Sequence, residues 1–416
     1  QSAKQGNTRA ESVLGTMYED GEGVTPNYAV ALEWYRKAAE KGDATAQVSV
    51  GFYYQEGLSV EQDEVLALEW YKKAAEQDYS VGQYAVGMCY YSGSGVEQDY
   101  AEAHGWLLKA ADLGDDIAQL RLGMMYWKAQ GVGQDFLEAK KWLTKASDQG
   151  NPEATFYLGD MYEHGHGVEQ DYNQAMEWCQ QSADLGNVDA QYSIGALYYQ
   201  GLGVEQDYEK ALEWFRKAAG EGHVEANFYI GRIHYYGEGG EVDYAEAMKW
   251  FRVAADLGSM YAQTAIGSMY HHGHGVGQDY VQSRKWYEQA AEQGEVDALY
   301  MLGYIYDEGT GVAQDYLKAM KYYRQAAALG SRDAMFAIGI LYHSGNGVAV
   351  DKEEASKWYV KAGANPDGTG YGGEEPAVEK VEKSVFERGK RLILFGSFLL
   401  LVVPFLIFVS RQKGHG

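Results

Sequence analysis

Histidines are the residues whose types and spacing come nearest to a reactive site in this chain. His271, His272 and His274 share one short turn, and His164 and His166 share an equivalent turn nearer the N-terminus. Because histidine is a common transition-metal ligand, a surface metal site is one interpretation of these turns. A closed zinc site needs four ligands, however, and no Cys or carboxylate recurs at suitable spacing. Equivalent turns elsewhere carry acidic or amide residues, so we expect polar turn positions and no metal.

Motifs of the common enzyme classes are missing from the sequence. The patterns G-x-S-x-G, G-x-x-x-x-G-K-[ST] and H-E-x-x-H do not occur. Gly-x-Gly pairs do occur, but they follow a predicted helix and not a strand, which is the wrong context for binding a dinucleotide. We therefore predict a protein that is not an enzyme, uses no cofactor and has no small-molecule site.

The elements that position these turns recur with a fixed period. A glycine returns every 36 residues (Gly51 follows Gly15), and a tryptophan follows it 19 positions later except in one repeat, which has Tyr322. Such a period is typical of stacked units, each of which buries its apolar face only against its neighbours. The repeat glycines are Gly15, Gly51, Gly87, Gly123, Gly159, Gly195, Gly231, Gly267, Gly303 and Gly339.

Each repeat is predicted to form two helices. Apolar residues such as Ile194 and Leu197 recur at helical spacing and indicate a first amphipathic helix. Gly201 breaks it, Asp207 is placed to cap a second helix, and Gly222 is placed to end that helix. Small residues at two repeat positions allow close helix packing, with the tryptophan filling the space between layers. The predicted fold is all-α: a right-handed α/α superhelical solenoid of ten helix-turn-helix repeats, followed by one transmembrane helix.

Both cysteines fall at apolar positions of the repeat. Cys89 and Cys179 align with Met, Leu, Ile, Tyr or Phe in other repeats, so we expect buried thiols. A disulfide between them would have to join distant repeats and is not expected.

The repeat pattern resembles a known family. The pattern A-x-x-x-L-G-x-M-Y-x-x-G-x-G-V-x-Q-D-Y-x-x-A-x-x-W-x-x-K-A-A-x-x-G is similar to the Sel1-like repeat family, which is related to the tetratricopeptide repeats. Residues 10–18 and 93–100 are nearly complete instances, and the resemblance extends from about Thr8 to Gly363. It implies an α/α superhelix that acts as an adaptor or scaffold for protein complexes, often at membranes. Some cysteine-rich members bind penicillin-like ligands, but this chain lacks their cysteines.

The C-terminal region differs in composition from the repeats. Residues 1–363 form the predicted solenoid, 364–377 a Gly- and Pro-rich linker, and 378–391 a charged juxtamembrane helix. Leu392–Val409 carries no charge over 18 residues and lies between basic residues, so it is predicted to span a membrane. Residues 410–416 are then a short basic tail.

Two topologies remain open from the sequence. The chain opens with Gln1 almost against the first repeat, which favours a removed signal peptide and a solenoid in the periplasm of a bacterial inner membrane. The layout is also similar to that of the luminal Sel1-like adaptor of an endoplasmic-reticulum ubiquitin ligase. The basic residues before the span favour the alternative, a cytoplasmic solenoid with a C-terminal tail anchor.

Protein partners are favoured over nucleic acid. The formal net charge is −25, and phosphate binding depends on Lys and Arg, so the acidity indicates either solubility or a basic partner. Variable positions of the first helices carry residue types that are enriched at interfaces, although the same side chains could instead fill the core between repeats. These candidate partner-binding residues are Met88, Tyr91, Met124, Trp127, Tyr199, Arg232, Tyr235, His271 and Tyr304.

The predicted function is a membrane-anchored scaffold that binds protein partners, with an integral membrane complex as the expected partner and the C-terminal helix in the lipid bilayer. The alternative is an accessory regulator or inhibitor of a periplasmic or cell-envelope enzyme. Because the repeats are so regular, information about the partner is expected where a repeat departs from the pattern, as at Trp127, Ala129 and Tyr322.

Overall fold

Residues 7–369 are described in the computed structural model, and their regular elements are twenty α-helices, two in each repeat. The first helices are α1 (Thr8–Asp20), α3 (Ala44–Glu56), α5 (Ser80–Ser92), α7 (Asp116–Lys128), α9 (Pro152–His164), α11 (Val188–Gln200), α13 (Val224–Tyr236), α15 (Met260–His272), α17 (Val296–Glu308) and α19 (Arg332–Ser344). The second helices are α2 (Tyr28–Glu40), α4 (Glu64–Ala75), α6 (Tyr100–Asp112), α8 (Phe136–Asp148), α10 (Tyr172–Asp184), α12 (Tyr208–Gly220), α14 (Tyr244–Asp256), α16 (Tyr280–Glu292), α18 (Tyr316–Ala328) and α20 (Lys352–Ala362).

The predicted membrane span falls in a different part of the chain. The predicted juxtamembrane helix, the predicted span Leu392–Val409 and the basic tail lie outside the described residues. Within residues 7–369, no helix combines the length and the apolar character needed to cross a bilayer.

Side-chain caps set where the second helices begin. The predicted cap of α12 is confirmed, because the Asp207 carboxylate accepts a hydrogen bond from the backbone N–H of Lys210 at 3.0 Å. An aspartate holds this position before every described second helix except α2, where Asn27 replaces it. Gly222 follows α12 with a φ of 86°, as expected for a helix-ending glycine. The helix boundaries thus follow from local chemistry repeated ten times.

The repeat glycine marks the close crossing of the two helices within a repeat. A Cβ on Gly267 would lie 2.8 Å from the ring of Tyr287, and Tyr287 is completely buried. The side chain at this crossing is thus the residue after the tryptophan, and the repeat tryptophans are half-buried, except Trp142, which is 4% exposed and does fill the core as predicted. Trp214, for example, is half-buried, and the Lys217 ammonium lies 3.6 Å from its ring centre.

The first helices are buried more completely than the amphipathic pattern predicts. In α3 the eight consecutive residues Ala46–Tyr53 are buried, and in α15 the same holds for Ala262–Met269. Since eight residues make more than two turns, such a helix contacts protein on every side. The expectation of a polar face on the first helices is therefore wrong for α3 and α15.

The helices pack into two compact units, one ending at Ala190 and the other beginning at Gln191. In the first unit Cys89 and Cys179 are buried free thiols, as predicted. In the second unit a continuous core runs from Tyr287 to Leu341 and is built from Ala, Leu, Ile, Met and Tyr side chains of α16 to α19.

Candidate functional site

Three of the predicted partner-binding tyrosines make hydrogen bonds to the following repeat. In each case the partner is the middle residue of the next turn, which two glycines flank except at Gln130, where Ala129 replaces the first of them, and the tyrosine hydroxyl is the group that reaches it. The pairs are Tyr91 with Gln130 at 2.9 Å, Tyr199 with Glu238 at 2.7 Å, and Tyr235 with His274 at 2.8 Å. These side chains therefore link consecutive repeats.

Trp127 occupies the position of those tyrosines and contacts the next turn in the same way. It is 7% exposed, and its ring centre lies 5.1 Å from that of His166 and 5.8 Å from that of Phe136. His271 holds the same position in its own repeat, is 8% exposed and packs edge-on against Tyr280. The unusual size of Trp127 is thus accommodated inside the repeat array.

Arg232 is a buried cation surrounded by aromatic rings. It is 3% exposed, and its guanidinium carbon lies 5.1 Å from the ring centre of Tyr199 and 5.7 Å from that of Tyr236. The Glu238 carboxylate lies 3.5 Å from its Nη2. Charge pairing and cation–π contacts offset part of the desolvation of this side chain, whose Nε and Nη1 atoms have no hydrogen-bond partner among the described residues.

The remaining predicted residues divide between core and surface. Met124 is buried, whereas Met88 and Tyr304 are half-buried. Burial raises the pKa of the Tyr304 hydroxyl, so that side chain stays neutral. The contacts explain the large side chains by packing between repeats, and their use by a partner stays a prediction.

A second set of side chains is more exposed than the predicted partner-binding residues, and the sequence analysis did not identify it. A leucine stands at the end of the second helix in alternate repeats, and its side chain is about half exposed. The set comprises Leu113 (54%), Leu185 (49%), Leu257 (47%) and Leu329 (54%). In intervening repeats the position is polar, as at Gln149, whose amide donates to Gln119 Oε1 at 2.9 Å. The leucines recur in every second repeat, so an alignment of single repeats, which looks for residues shared by all of them, does not reveal the pattern.

The turn after α9 places two histidines beside a carboxylate. Asp160 and His164 lie one helical turn apart, with Asp160 Oδ1 3.1 Å from His164 Nδ1. Gly165 and Gly167 adopt φ values of 72° and 69° and return the chain, so that His166 stacks on His164 with 5.5 Å between ring centres. Ligand atoms of Asp160, His164 and His166 all lie within 4.8 Å of one another. A carboxylate four residues before the first histidine was the sequence signal for this cluster.

Burial changes the acid–base properties of this cluster. It lowers the pKa of His166, which favours the neutral imidazole. It also raises the pKa of the neighbouring Glu163 to about 7, while the proximity of His164 acts in the opposite direction.

Comparison with known proteins assigns the repeats. The Sel1 repeat matches ten consecutive segments: 8–43, 44–79, 80–115, 116–151, 152–187, 188–223, 224–259, 261–295, 296–331 and 332–367. The chain is 35% identical to a protective antigen present in uropathogenic Escherichia coli strains that displays an SLR fold, covering 94% of this chain and 84% of that chain with a TM-score of 0.68. It is 32% identical to a Sel1 repeat protein from Oxalobacter formigenes, covering 74% of this chain and 90% of that chain with a TM-score of 0.62. No curated protein is significantly similar to the chain.

Proposed function

Because the chain belongs to the Sel1 repeat family, we propose that it is a protein-interaction scaffold that helps to assemble or stabilise a membrane protein complex. The ten consecutive repeats support a binding role, since stacked repeats create extended surfaces on which partners dock. The observation that carries the proposal is the set of exposed leucines at Leu113, Leu185, Leu257 and Leu329. Each compact unit exposes two of these leucines, and because the chain carries a formal net charge of −25, they suit a partner that combines apolar and basic groups.

Catalysis is not part of this proposal. The sequence carries no nucleophile elbow or phosphate loop.

A membrane anchor and an exoplasmic solenoid complete the proposal. Leu392–Val409 is uncharged and long enough to cross a bilayer, and basic residues flank it on both sides. We place the solenoid in the periplasm of a bacterial inner membrane, and the alternative is a cytoplasmic solenoid with a tail anchor. Protease digestion of sealed inner-membrane vesicles distinguishes the two: a solenoid cleaved only from the periplasmic side supports the first arrangement, and cleavage from the cytoplasmic side supports the second.

The scaffold role is tested by co-purification from detergent-solubilised membranes. The variant replaces the four exposed leucines with glutamine, the residue that the chain itself uses at the equivalent Gln77, Gln149 and Gln293. Because these side chains are about half exposed, we expect an unchanged melting temperature and at least a tenfold loss of a stoichiometric integral-membrane partner.

Two comparisons make this test decisive. Trp127→Ala and Tyr91→Ala examine the first-helix residues, and their melting temperatures separate lost binding from the lost packing of buried rings. Full recovery of the partner by a folded leucine variant would contradict the leucine surface. Recovery of a soluble enzyme instead of a membrane protein would contradict the scaffold and favour a regulator of that enzyme.

A further inference from the structure

The turn that follows α9 has the donor set of a metal site. We propose that Asp160, His164 and His166 bind a divalent transition-metal ion such as Zn²⁺. The proposal is independent of the scaffold function, because it concerns residues within one repeat and needs no partner. Two imidazole nitrogens and one carboxylate oxygen suit zinc and its neighbours in the first transition series, whereas Mg²⁺ prefers oxygen ligands alone.

The local backbone holds the three donors together without a bound ion. Asp160 and His164 are four residues apart on one helix, and the turn glycines return His166 to the same side. Their ligand atoms lie within 4.8 Å of one another, so small side-chain rotations close the site around an ion. The remaining coordination positions would be filled by water or by a ligand from outside.

Neighbouring aromatic side chains hold His166 in place. Its ring stacks on Phe136 with 5.2 Å between centres and an interplanar angle of 11°. The edge of Trp127 contacts the same ring. Among the described residues, the buried Nδ1 atom of His166 has no hydrogen-bond partner. An oriented imidazole loses little conformational freedom on binding an ion, which favours coordination.

The chain contains its own negative control. His272 and His274 occupy the equivalent turn after α15, and their rings stack with 5.2 Å between centres. The position equivalent to Asp160 is Ser268, whose hydroxyl lies 3.3 Å from His272 Nδ1. Two stacked histidines thus recur without the carboxylate, and we expect weak or no metal binding there.

Isothermal titration of Zn²⁺ into the full chain, without a histidine tag, tests the site. We expect one ion per chain, and Mg²⁺ in millimolar excess should not compete. Asp160→Ser copies the residue found in the control turn, so it is expected to fold, and it should weaken Zn²⁺ binding at least tenfold. His166→Ala should have a comparable effect, whereas His274→Ala should leave the binding unchanged.

A gain-of-function variant completes the test. Ser268→Asp supplies the missing carboxylate beside His272 and His274 and should raise the stoichiometry from one ion to two. Circular dichroism melts establish that each variant is folded. Unchanged Zn²⁺ affinity in folded Asp160→Ser, or an equal loss in His274→Ala, would overturn the assignment.

Discussion

Single aspartates at helix N-termini differ in their effect on stability because their burial differs. Asp115 caps α7, and its carboxylate accepts a hydrogen bond from the backbone N–H of Ala118 at 2.9 Å. The residue is only 7% exposed, and burial raises its pKa to about 6 although that hydrogen bond acts to lower it. Ionised Asp115 therefore destabilises the folded chain above that pH.

Replacing Asp115 with asparagine should stabilise the protein in a pH-dependent way. Asn151 caps α9 in the same geometry, so the amide preserves the cap. Below about pH 3 aspartate is largely protonated in both folded and unfolded chains, and the variant should match the parent. Above pH 6 it is ionised in both, and Asp115→Asn should raise the free energy of unfolding by on the order of 2 kcal/mol. Urea denaturation at about pH 3 and about pH 8 measures this difference.

Asp207 is the matched control for that prediction. It is an N-cap as well, but it is solvent-exposed, and its backbone hydrogen bond from Lys210 lowers the pKa of its carboxyl group. The sign is therefore reversed, since the ionised form of Asp207 is favoured by folding. Asp207→Asn should give no gain in stability at pH 8. A gain equal to that of Asp115→Asn would show that burial is not the cause.

At the scale of a helix, Ala129 breaks the rule that glycine ends each first helix. It follows α7 with a φ of 56°, a left-handed conformation that L side chains seldom adopt. Its backbone N–H nevertheless bonds to the carbonyl of Met125, as the glycines do in other repeats. Ala129→Gly should relieve the backbone strain and stabilise the protein by about 1 kcal/mol.

The reverse substitution provides the control. Gly165 ends α9 with a φ of 72°, and an added Cβ would meet its nearest atom at 3.5 Å, so space is not the obstacle. Gly165→Ala should therefore destabilise by about 1 kcal/mol through the backbone alone. Thermal melts of both variants give the comparison, and a destabilised Ala129→Gly would contradict the strain at this position.

The helices could be predicted from the sequence because their signals are local. Asp207 at a helix start and Gly222 after a helix end specify hydrogen bonds within a few residues, and ten copies reinforce the pattern. The contacts of Tyr199 and Arg232 could not be predicted in this way. They depend on how the following repeat stacks, and that orientation is absent from the sequence of any one repeat. Asp160 was missed for a related reason, since it lies on the helix before the histidine turn, and the chain reversal at Gly165 and Gly167 is what brings His166 to the same side.

At the scale of the whole molecule, the repeats are equivalent, so when one repeat is deleted the repeat after it can make the same contacts with the repeat before it. In this part of the chain the second glycine of the turn contacts the start of the preceding second helix: a Cβ on Gly311 would lie 2.4 Å from Tyr280, and one on Gly347 would lie 2.6 Å from Tyr316. Removing residues 296–331 brings Gly347 to Tyr280 and preserves this close contact. Glu295, which caps α17, would then precede α19 in the same register.

Deletion of residues 296–331 should therefore yield a folded, shorter array. Its helicity per residue should be unchanged, and its urea m-value should fall by about a tenth, because one repeat of ten is removed. Deleting only residues 296–313 removes Gly303 and leaves the buried ring of Tyr323 without its helix partner. That half-repeat variant should lose cooperative unfolding. Equal melting behaviour of the two deletions would mean that stability does not reside in interfaces between equivalent repeats.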